Sequence, residues 1–87
     1  MRNYRNQQLD RALLCALAPT GNYLLAENVL RSEMRRQCGL GDVSEAELSE
    51  AIRHADEMGC VTGIPGEYSM RWRITDVGRA VKAENNF

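Results

Sequence analysis

Leu9, Ala12, Leu13, Ala16 and Leu17 recur at i, i+3, i+4, i+7 and i+8, which aligns them along one side of a helix. The pattern predicts a first helix from about Asn3 or Asn6 to Ala18. Pro19-Thr20-Gly21-Asn22 then supplies breaker chemistry and ends it. Leu14 and Cys15 lie off the main stripe, so this helix is apolar over more than one face. Tyr23 and Leu24 suit a very short strand. A second helix is expected from about Leu25 to Cys38, burying Ala26, Val29, Leu30 and Met34, with Cys38 a further candidate. Gly39 is placed to close it in the left-handed conformation.

The third helix has the clearest start. Ser44 followed by Glu47 forms a capping-box pattern, and Val43 with Leu48 forms a hydrophobic staple across it. Leu48, Ala51, Ile52 and Ala55 should face the core with Met58 at its edge, and Gly59 should end the helix. Two strands follow, Cys60 to Ile64 and Tyr68 to Ile74. In the second, Tyr68, Met70, Trp72 and Ile74 alternate with Ser69, Arg71 and Arg73, which assigns the first set to one face and the second to the other. Ile64-Pro65-Gly66-Glu67 suits a type II turn. Its hand matches poorly with a tight two-residue hairpin, so a tip of four or five residues is expected. Thr75 should cap a last helix over about Asp76 to Glu84 that buries Val77, Ala80 and Val81, with Asn85-Asn86-Phe87 fraying beyond it.

With 87 residues, one domain is expected across 1–87. The net charge is −1, so no global attraction to nucleic acid follows from it; the distribution says more. Residues 1–39 set Arg2, Arg5, Arg11, Arg31, Arg35 and Arg36 against Asp10, Glu27 and Glu33. Residues 40–59 set Arg53 alone against Asp42, Glu45, Glu47, Glu50, Asp56 and Glu57. Residues 60–87 set Arg71, Arg73, Arg79 and Lys82 against Glu67, Asp76 and Glu84. Phosphate contacts must therefore come from the two ends of the chain. Cys15, Cys38 and Cys60 are odd in number and widely spaced, which points to reduced thiols and a cytoplasmic setting rather than a disulfide framework. A zinc site from Cys38, His54 and Cys60 would lack the paired spacing of known sites. The run Ala12–Ala18 after Arg2 and Arg5 imitates a secretion signal, but it is at the short limit, Gln7, Gln8, Asp10 and Arg11 precede it, and Pro19 follows its Ala-x-Ala. The run is also too short to span a bilayer, and no membrane association is expected.

Three helices, a ribbon and a closing helix in this order resemble the winged helix-turn-helix superfamily. The resemblance is carried by Ser-Glu-Ala-Glu-Leu-Ser-Glu-Ala-Ile-Arg-His-Ala-Asp-Glu-Met-Gly-Cys-Val over 44–61 and Ile-Thr-Asp-Val-Gly-Arg-Ala over 74–80. The first looks like a recognition helix ending in glycine and passing into a wing strand. The second is similar to the start of the helix after the wing in MarR-like and PadR-like regulators. Size and layout also resemble the small ArsR-like winged-helix proteins of Mu-like prophages. The resemblance implies a mainly α fold: a three-helix core, a two- or three-stranded antiparallel wing and a C-terminal helix.

Two functional readings follow. A winged helix sets its third helix in the major groove and its ribbon on a neighbouring backbone or minor groove. On this chain that implies a transcriptional regulator contacting double-stranded DNA through Ser49, Arg53 and His54, with Arg71 and Arg73 on the wing and Arg31, Arg35 and Arg36 at the end of the second helix. Each cation also has a purely structural use: arginines near a helix C-terminus relieve the dipole, and charges on a strand discourage edge pairing. The acidity of the third helix opposes this reading, because carboxylates repel phosphates. The alternative is a protein-interaction module, in which Glu50 and Glu57 face a basic partner and the wide apolar face of the first helix, through Leu14, pairs in a homodimer. An enzyme is not expected, since the chain has one His, no phosphate-cradling glycine loop and no nucleophile beside an evident base. No cofactor is implied.

Overall fold

The computed structural model describes residues 3–21, 23–38 and 41–84. Helix α1 spans Tyr4–Leu17, and the Asn3 side chain caps it by accepting from the Asn6 amide at 2.8 Å. A single 3-10 turn, Ala18–Thr20, follows at the expected breaker. Strand β1 is only Leu25–Ala26, two residues later than Tyr23 and Leu24. The sequence that suggested the start of the second helix therefore pairs as strand, and helix α2 begins at Glu27 and runs to Cys38. Helix α3 spans Glu45–Glu57, strands β2 and β3 span Val61–Pro65 and Met70–Ile74, and helix α4 spans Asp76–Glu84. The strands form one antiparallel sheet in the order β1-β3-β2. The architecture is mainly α with a three-stranded wing, as expected.

Helix α1 is the hub. It packs against α2, α3, α4 and β3, and its whole stripe is buried together with Leu14. Leu14 is only 4% exposed, so it is covered by the chain's own core and is not available for pairing. Val29 is 43% exposed, against expectation, while Leu30 and Met34 are fully buried. The side chain of Cys38, the Gly39 closure and the expected fraying of 85–87 lie outside the described residues.

Helix α3 forms as its sequence dictates. The Ser44 hydroxyl accepts from the Glu47 amide, and the Glu47 carboxylate accepts from the Ser44 amide, both at 3.1 Å. Val43 and Leu48 are buried as the staple. Glu47 also receives the Arg5 guanidinium, with Nε at 2.8 Å, and Arg5 donates further to the Asp42 carbonyl at 2.9 Å. This joins the first turn of α1 to the first turn of α3. The hydrogen bond from Arg5, then that from the Ser44 amide, hold the Glu47 carboxyl down at about 2. The same bond to Glu47 raises the pKa of Arg5.

The wing is anchored at its base. Gly59 adopts φ +77° to end α3, a region other residues enter only at a cost. The Cys60 carbonyl accepts from the Thr75 amide at 2.9 Å, the Thr75 hydroxyl donates to the Gly59 carbonyl at 2.6 Å, and the Gly78 amide donates to that hydroxyl at 3.1 Å. A Cβ on Gly78 would overlap the Cys60 carbonyl oxygen and press on Ile74. The expected register of α4 is therefore wrong: Gly78 is the buried residue, Val81 is half-buried, and Val77 (52% exposed) and Ala80 face outward. Close backbone approach, rather than an aliphatic stripe, decides which side of this helix turns inward.

Pairing runs from Val61↔Ile74 to Pro65↔Met70, so Pro65 belongs to the strand rather than to the turn. Four residues, 66–69, make the tip, closed by the Gly66 amide on the Ser69 carbonyl at 2.8 Å. Trp72 lies between Leu25 of β1 and Gly63 of β2. Its ring occupies the space that a side chain at Gly63 would need, and its indole N–H donates to Glu27 at 3.1 Å.

Two outcomes follow. Gly78→Ala lowers the urea midpoint by the equivalent of about 1–3 kcal/mol at unchanged m-value, as expected for overpacking against backbone. Glu47→Gln lowers the thermal unfolding temperature at pH 7. The folded-state value of Glu47 lies below its ordinary 4.5, so its contribution is complete above 4.5 and fades as pH falls toward about 2. The gap between wild type and variant closes over that window in scanning calorimetry; a gap that widens there contradicts the Arg5–Glu47 assignment.

Candidate nucleic-acid interface

The start of α2, the start of α3 and the wing tip enclose a cleft of about 540 Å³. Arg31 reaches it from α2, Ser49 from α3 and Arg71 from β3. The three come together because β1 hands the chain directly into α2 while pairing Ala26 with Arg71. The stem of Arg71 also runs past Gly66, where an added Cβ would sit 3.2 Å from its Cγ. The glycine thus lets the arginine extend toward the tip. Among the described residues, Arg31, Arg71 and Arg73 make no ion pair. Arg73 is half-buried opposite Thr62 on β2, and it does not line the cleft.

The remaining sequence candidates sit elsewhere. Arg53 is held by its own helix: Glu50 Oε1 lies 2.6 Å from Nη2, and Glu57 Oε1 lies 2.5 Å from Nη1. The bond to Glu50, then the charges of both carboxylates, raise its pKa further. Its guanidinium donors are therefore turned along α3 instead of outward to a base edge. His54 is half-buried toward α1, with Nε2 3.9 Å from an Asp10 carboxylate oxygen, and so is not presented with Ser49. Arg35 pairs with Asp42 at 3.1 Å and Arg36 with Glu33 at 2.6 Å. Both line a separate shallow depression with Ser32 and Gly41. Arg5 and Arg79, cations that the charge distribution left open for phosphates, make structural contacts, Arg79 donating to the Gly21 carbonyl at 3.0 Å.

Sequence reasoning missed several residues of the cleft: Asn28, Glu45, Glu67 and above all Tyr68. Alternation placed Tyr68 on the same face as Trp72 and Ile74, which are buried, yet it is 93% exposed. The signal was available in the Pro65-Gly66 step, which ends pairing early enough to leave Tyr68 in the tip. Cys60 is buried, and burial, then the charge of Asp10, push its thiol pKa up. Among the described residues no three His, Cys, Asp or Glu side chains converge as a metal site, and no helix is long and apolar enough to cross a membrane.

No protein-family model matches the chain, and no curated protein matches it. Among solved structures, the chain is similar to F93 from STIV, a winged-helix DNA-binding protein, with a TM-score of 0.74 and 20% sequence identity. The match covers 87% of this chain and 80% of F93. A likeness of this kind is one of fold, and the fold is the winged helix.

Proposed function

We propose that this chain is a small winged-helix DNA-binding protein, a cytoplasmic transcriptional regulator of bacterial or prophage type. The observation that carries the reading is the cleft itself, which Arg31 and Arg71, without an ion pair among the described residues, line together with Ser49. Two cations brought from distant parts of the chain to one opening beside the wing suit contact with a phosphate backbone. The resemblance to F93, itself a winged-helix DNA-binding protein, supports the same reading. The contact differs from the usual docking of the fold. Glu50 and Glu57 occupy the one arginine of α3, so the wing and the start of α2 carry the phosphate contacts and α3 contributes Ser49.

A second reading is favoured by one observation, the exposed ladder Glu50–Arg53–Glu57. It sets two carboxylates against one guanidinium on the outer side of α3, a charge balance that fits a basic protein partner. Leu14 plays no part in that surface, being buried.

For DNA binding, Arg31→Ala and Arg71→Ala each weaken association with mixed-sequence duplexes. Each also reduces the slope of log K against log salt by about one. Fluorescence anisotropy across a salt series checks this, and wild-type slopes in the double variant would sink the reading. For the second reading, changing Glu50 and Glu57 to Gln releases a basic partner captured by the wild type while duplex affinity stays the same or rises. Loss of duplex affinity in that variant would count against it.

A further inference from the structure

The cleft carries groups that a phosphate backbone alone does not require. Tyr68 stands at the wing tip with 93% of its surface exposed, and it lines the opening. Glu45 and Glu67 line the same opening as Arg31 and Arg71, and among the described residues none of these four is engaged in an ion pair. Carboxylates repel a run of phosphates, but a carboxylate accepts well from the exocyclic amino group of a base. An exposed aromatic face stacks on any base. The volume, about 540 Å³, falls within the range of sites that take small ring systems.

A paired base is a poor occupant. Opening a closed base step costs about as much as one aromatic stack returns, and architectural proteins that wedge a duplex open recover the cost by wrapping bent DNA over a large surface. Here one ring projects from a four-residue tip. A base that is already unpaired meets the ring without that cost.

We infer that the cleft holds an unpaired nucleobase bearing an exocyclic amino group. The base stacks on Tyr68, a carboxylate of Glu45 or Glu67 accepts from its amino group, and Arg31 and Arg71 meet the flanking phosphates. This rests on the DNA-binding reading and narrows it, because the preferred ligand becomes DNA with an unpaired position rather than a perfect duplex.

The test uses the full chain and three labelled DNAs of one length: a blunt duplex, the same duplex with one unpaired cytosine, and the same with one unpaired thymine, which lacks an exocyclic amino group. The unpaired cytosine raises affinity about tenfold over the blunt duplex, the size expected of one stacked base, and thymine raises it less. Tyr68→Ala abolishes the ratio of cytosine-bearing to blunt affinity, Tyr68→Phe retains that ratio, and Arg71→Ala weakens all three alike. Equal affinity for blunt and cytosine-bearing DNA overturns the inference and leaves the duplex reading standing. A gain that survives Tyr68→Ala, or equal gains from thymine and cytosine, also overturns it. Failure to bind any of the three overturns both readings.

Discussion

The approach of α4 to the end of α3 sets the position of everything beyond it. Thr75 closes on Gly59 and Cys60 through two hydrogen bonds, the Gly78 amide bonds the Thr75 hydroxyl in turn, and no side chain fits between Gly78 and the Cys60 carbonyl. The two ends of the ribbon are thereby clamped together at its base, and five residue pairs carry the strands outward from that point. Each adds about 3.4 Å, so a small change of angle at the base displaces the tip. Arg71 and Tyr68 line one cleft with the start of α3, at the far end of a ribbon whose base this junction fixes. Trp72 steadies the same arrangement from the other side, wedged over Gly63 and bonded to Glu27, which ties the wing to the first turn of α2.

The acidity of α3 has two separate structural uses. Glu47 closes the capping box and receives Arg5, so one carboxylate satisfies the helix start and locks α1 to α3. Glu50 and Glu57 bracket Arg53 on the exposed side. Exposed pairs of that kind contribute little stability, but they do remove the only guanidinium from the outer face of the helix. The electrostatic consequence is a division of labour. The helix that usually faces DNA in this fold carries a self-paired ladder, while Arg31 and Arg71, without an ion pair among the described residues, line the cleft from α2 and β3.

Where local chemistry alone decides, the chain was readable. The capping box at Ser44 and Glu47, the glycine stop at Gly59, the buried stripe of α1 and the four-residue tip each follow from groups a few residues apart. Errors occur where a distant partner decides. Leu25 and Ala26 pair with Trp72 and Arg71, so strand replaces the expected helix start. Val77 and Ala80 have helical spacing and apolar character, yet the backbone contact at Gly78 rotates α4 and leaves them outward. Leu14 stood as a surface candidate until the packing of α1 against four neighbours covered it.

The candidate site divides along the same line. The residue types were visible in the sequence: Ser49 on the third helix, Arg31 on the second, Arg71 on the wing. Hydrophobic periodicity, caps and breakers determined by themselves that the chain would be three helices, a ribbon and a closing helix, because those signals act within one turn or one strand pair. Only the tertiary structure decided which arginines remain unpaired and which carboxylates hold them. An ion pair depends on side chains brought within about 4 Å, and separations such as that of Arg5 from Glu47 or Ala26 from Arg71 are set by packing, which no local pattern encodes.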